Sequence, residues 1–74
     1  MKFHYYPETD SLYIELSDRA SADTREVAPG VLLDFDADGH LVGIDIDHAC
    51  KIADLSRLEA ESLPITNLSV ANPR

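Results

Sequence analysis

Seventy-four residues carrying a net charge of −8 leave room for one domain, and six Lys and Arg scattered from Lys2 to Arg74 form no basic stripe for a nucleic acid. A chain this short buries only about 60% of the surface its unfolded form exposes, so marginal stability is expected. Cys50 is the only cysteine, which excludes an internal disulfide; no signal peptide and no run of roughly 20 apolar residues is present, so a cytoplasmic domain without a membrane partner is expected.

The first apolar segment is Phe3-His4-Tyr5-Tyr6, closed by the turn-forming Pro7-Glu8-Thr9-Asp10. In Ser11 to Ser17, Leu12, Ile14 and Leu16 alternate with Tyr13 and Glu15, the period-two pattern of a half-buried strand. Asp18 to Asp23 reads as a polar loop. A third segment, Thr24 to Asp36, is expected to bend or bulge at Pro29-Gly30. Beyond that point Val31, Leu33 and Phe35 share one face. In the fourth segment, His40 to Asp47, Val42, Ile44 and Ile46 share one face.

Asp38-Gly39 between these alternations has the composition of a two-residue type I′ hairpin. With those residues central, Phe35 faces Val42, Leu33 faces Ile44 and Val31 faces Ile46. A slip of one residue would set an apolar face against a polar one. A four-residue loop, Asp36 to Gly39, would also keep the faces matched, so the loop length stays open.

After Asp47 the period changes. Ala49, Ile52, Leu55 and Leu58 form the apolar arc of a helix, with Asp47 as its N-cap and Pro64 as its stop. Ser56-Arg57-Leu58-Glu59 has capping-box spacing, so a start or break there is an alternative. The tail around Leu68 and Val70 reads as a further strand or a docked arm. The domain is expected to span residues 1–70, with 71–74 fraying.

The ordered string Tyr5-Tyr6, Asp10 to Ile14, Glu26 to Asp34, Asp38-Gly39 and Val42 to Ile46 resembles domain of unknown function 2283, a family of short prokaryotic proteins. The resemblance covers roughly residues 3–53. Asp45 stands where the family usually carries Glu. The resemblance implies a strand-rich α+β fold and supplies no catalytic residue. Some relatives sit beside small toxin-like proteins, which implies an antidote role.

Asp34 to Asp45 has EF-hand spacing at its early positions, so Asp34, Asp36 and Asp38 form a candidate calcium set. Asp45 at position 12 is too short for the usual bidentate Glu, Val42 at position 9 brings no ligand, and the flanks read as strands rather than helices. His4, His40 and His48 lack the close spacings of zinc sites. Cys50 reads as a small buried hydrophobe. No nucleophile elbow or phosphate loop is present, so no enzyme and no cofactor is expected.

The expected fold is α+β: an antiparallel sheet of about four strands, a meander of hairpins, followed by one C-terminal helix. That helix packs on Phe3, Tyr5, Leu12, Ile14, Leu16, Val31, Leu33, Phe35, Val42, Ile44 and Ile46. The outer face then carries His4, Tyr6, Tyr13, Glu15, Leu32, Asp34, Leu41 and Asp45. Tyr6, Tyr13, Leu32 and Leu41 are its large groups, and they form the candidate surface for another protein or a second copy of the chain. The function expected is protein binding; a small calcium-binding module is the alternative.

Overall fold

The computed structural model describes residues 1–57, 59, 61 and 62. Five strands, β1 (Lys2–Tyr6), β2 (Ser11–Glu15), β3 (Asp23–Ala28), β4 (Val31–Phe35) and β5 (Leu41–Ile46), precede one helical turn, α1 (Ala49–Ile52). They form one antiparallel sheet in the order β1-β2-β5-β4-β3. The α+β class holds. The expectations for the tail from Pro64 onward lie outside the described residues.

The strand count rises from about four to five because Pro29-Gly30 reverses the chain instead of bending it. Gly30 has φ 79° and follows a proline, the residue pattern of a type II turn. Ala28 therefore faces Val31, and β3 and β4 become a hairpin. The β2–β3 connection then passes over the ends of β5 and β4, which puts β5 beside β2 in the middle of the sheet.

The β4–β5 register is the one the apolar pattern demands at Val31↔Ile46 and Leu33↔Ile44. It then shifts, so that Phe35 faces Leu41 and not Val42. The cause is the turn. Gly39 N–H donates to Asp36 O at 3.0 Å and Asp36 N–H to His40 O at 2.8 Å. Gly39 has φ 85°, whereas Asp38 is not in the left-handed region. This is a three-residue loop ending in a left-handed glycine, not the expected type I′ turn. The Asp36 side chain selects it by accepting from the backbone N–H groups of Asp38 (2.9 Å) and His40 (2.8 Å).

The helix is much shorter than its sequence pattern. It stops at Ile52, and Ala53 is extended at φ −130°, ψ 153°. Asp54 accepts from both Ser56 N–H (3.0 Å) and Ser56 Oγ (2.6 Å), a local turn that competes with continued helix. Asp47 is not the N-cap. His48 occupies that position at φ 51° with no capping side chain. Asp10, from the β1–β2 turn, caps instead: its carbonyl accepts from Ala49 N–H at 2.9 Å and its carboxylate from Cys50 N–H at 3.2 Å.

One helical turn cannot cover a five-stranded sheet. Among the described residues only Leu12, Val42 and Ala49 are buried apolar groups. Most of the expected core is half-buried, and Phe3 and Tyr5 are exposed at 51% and 41%. Ile52 and Leu55, expected on the packed arc, are also exposed. No described helix is long and apolar enough to cross a membrane.

Candidate functional site

Residues paired across an antiparallel sheet share a face, so the register defines two surfaces. One carries an apolar row, Phe3–Ile14–Ile44–Leu33, that runs across four strands and ends at Arg25 of β3. The adjacent row is Tyr5–Leu12–Ile46–Val31. The sheet strands contact one another in sequence across the sheet, whereas α1 is held at the turn end. There Ala49 bonds to Asp10, Asp47 N–H donates to Gly30 O at 2.7 Å, and Ile52 lies beside Gly30.

The opposite surface is polar. Its rows are His4–Tyr13–Asp45–Leu32–Glu26 and Lys2–Glu15–Gly43–Asp34–Thr24. Gly43 leaves a gap in β5, and the Tyr13 side chain fills it. A Cβ at Gly43 would collide with the Tyr13 hydroxyl and ring. Through this gap Tyr13 Oη donates to Asp34 Oδ2 at 2.9 Å, while Thr24 Oγ1 donates to Asp34 Oδ1 at 2.7 Å. Burial, then the bond to Asp34, pushes the Tyr13 phenol up to about 12. Burial and the nearby Asp47 and Asp34 raise the carboxyl of Asp45 above its ordinary value.

This geometry disperses the four residues singled out from alternation. Tyr13 and Leu32 share a row but stand on either side of Asp45. Tyr6 is 50% exposed at one end of the sheet, and Leu41 is 38% exposed at the other, beside Phe35. Tyr13 is half-buried with its hydroxyl engaged.

The calcium set is divided as well. Asp34 is turned to Tyr13 and Thr24. Asp36 is buried, at 7% exposure, and pairs with Arg19 Nη1 at 2.9 Å. Bonding to His40 N–H, then to Asp38 N–H, with the charges of Arg19 and His40 added, holds its carboxyl below the ordinary range. Asp36, Asp38 and His40 have ligand atoms within 4.8 Å of one another, and Asp34 does not belong to that group.

A third cluster lies at the turn end. Tyr5 Oη donates to Asp10 Oδ1 at 2.7 Å and sits 3.7 Å from Cys50 Sγ. That bond raises the Tyr5 phenol and lowers the Asp10 carboxyl. Cys50, expected to be buried, is exposed and free, because the helix ends too soon to enclose it.

Comparison with known proteins agrees with this architecture. The family model described as Protein of unknown function (DUF2283) matches residues 2–49. The chain belongs to this family. No curated protein and no solved structure matches it. The DUF2283 match takes in all five strands and ends at the first residue of α1.

Within this DUF2283 domain, alternation alone could not find two organising residues. Asp10 is a turn residue whose capping role appears only once β5 has brought the helix to it. Gly43 did carry a signal, since glycine inside an alternating strand marks a close approach.

Proposed function

We propose that this domain binds another protein through the apolar face of its sheet. The supporting observation is the row Phe3–Ile14–Ile44–Leu33, which crosses four strands and has Phe3 half open to solvent, whereas α1 is held at the strand ends beside Asp10 and Gly30. A broad apolar sheet face of this kind suits a partner that covers it. The earlier candidates Tyr6, Tyr13, Leu32 and Leu41 fit the role less well, because charged residues separate them. The net charge of −8 favours a basic partner and a salt-sensitive association. An antidote masking a small toxin-like protein is one form of this function, and it rests on the family resemblance. An exposed free Cys50 suits the reducing cytoplasm.

The test is co-expression with small basic proteins encoded beside it, followed by titration calorimetry. The parent chain should form a complex that weakens with salt. Phe3→Ser combined with Leu33→Ser should lower the affinity roughly tenfold or more, as loss of central anchors does, with the circular dichroism of the sheet retained. Equal affinity in parent and variant would remove the apolar face from consideration.

A further inference from the structure

Among the described residues the sheet has two edges, β1 and β3, and they are built differently. β3 carries several of the features that prevent strand addition. Its register shifts between Glu26 and Ala28, which is a bulge. Asp23 and Arg25 stand on the apolar side, opposite Phe35 and Leu33. Pro29 follows directly. β1 shares the flanking proline, since Pro7 follows Tyr6, but it has no bulge and no charged residue on the apolar side. It pairs with β2 over all five residues without a shift. It contains no proline, glycine or acidic residue in a chain with 14 Asp and Glu. Three of its five residues are aromatic, and Phe3, Tyr5 and Tyr6 are exposed at 51%, 41% and 50%.

We propose that β1 pairs antiparallel with β1 of a second copy, joining two sheets into one across a two-fold axis. Full overlap of a five-residue strand with itself requires His4 opposite His4 of the other copy. That register sets Lys2 opposite Tyr6 and Phe3 opposite Tyr5, each pair occurring twice. Phe3 and Tyr5 already share the apolar face with Ile14 and Leu12. Pairing therefore makes two aromatic cross-strand contacts and continues both apolar rows from one copy into the next. The two Lys2 side chains do not meet, because each falls against an aromatic ring. The strand is complementary to itself in both pattern and charge, which is why the occupant is a second copy. A domain near the lower size limit also gains stability when its folded form associates. The pairing leaves the apolar face open, so it stands apart from the partner-binding reading and is tested on the purified chain alone.

Sedimentation equilibrium of the full chain should show a monomer–dimer equilibrium. Phe3→Lys should weaken that association at least tenfold. A second measurement does not depend on Phe3→Lys folding well. In a Cys50→Ser background, His4→Cys should oxidise to a disulfide-linked dimer, because directly opposed residues lie about 4.5–5.5 Å apart, within disulfide reach. Glu26→Cys, on the β3 edge, should stay monomeric under the same oxidation. A parent chain that sediments as a monomer at its highest soluble concentration overturns the proposal. So does a dimer that cross-links through Glu26→Cys and not through His4→Cys.

Discussion

At the residue scale, the polar face depends on a missing side chain. Gly43 is needed for space, since the Tyr13 ring occupies the position its Cβ would take. Gly43→Ala should displace the ring, break the bond to Asp34 and destabilise by about 1–3 kcal/mol. In a double-mutant cycle with Tyr13→Ala the combined cost should fall short of the sum, because removing the ring removes the collision. Chemical denaturation of the four proteins checks this. Asp45 shows the opposite sign of effect. Its folded carboxyl lies above the unfolded value of 3.8, so its ionised form opposes folding. Asp45→Asn should raise the melting temperature at pH 7. That gain should shrink as the pH falls through the raised folded value and vanish below 3.8, where the carboxyl is protonated in both states. A gain independent of pH would mean that the charge is not its source.

At the scale of elements, the β4–β5 hairpin separates what alternation could and could not reveal. The pairs Val31↔Ile46 and Leu33↔Ile44 follow from matching apolar faces, since a one-residue slip would bury charge. The turn itself depends on Asp36, whose side-chain bonds to Asp38 and His40 stabilise a longer loop than Asp38-Gly39 suggests. Positive φ at Gly39 follows from both turn types. Gly39→Val should therefore cost more than about 1 kcal/mol although a Cβ there meets nothing, because the penalty lies in the backbone. An unchanged melting temperature would contradict it. The helix departs from its pattern for a related reason. Ala49, Ile52, Leu55 and Leu58 have helical spacing, but a turn centred on Asp54 and Ser56 takes over the backbone after one turn.

At the scale of the whole molecule, Arg19 in the β2–β3 crossover is paired with Asp36 in the β4–β5 turn. Ala22 N–H donates to Phe35 O at 2.7 Å in the same region. These contacts tie the connection to the sheet end that it crosses. Because the folded carboxyl of Asp36 is held below the unfolded 3.8, its contribution is complete above that pH and is lost as the pH falls through the folded value. Asp36→Asn should lower the melting temperature at neutral pH, and the difference from the parent should narrow below pH 3.8. A constant difference down to strong acid would place the effect elsewhere.

Local pattern determined most of the strands, the face each residue takes and the pairing of β4 with β5. These follow from period-two alternation and from the cost of burying charge, and both are properties of short stretches of chain. Tertiary structure alone decided that β5 enters between β2 and β4, that Asp10 caps a helix 39 residues further along, and that Tyr13 lies in the gap at Gly43. Each of these joins residues distant in sequence, and no local periodicity encodes which distant partner fills a given gap. The exposure of Phe3 and Tyr5 belongs with them, because it follows from how little sheet a four-residue helix can cover.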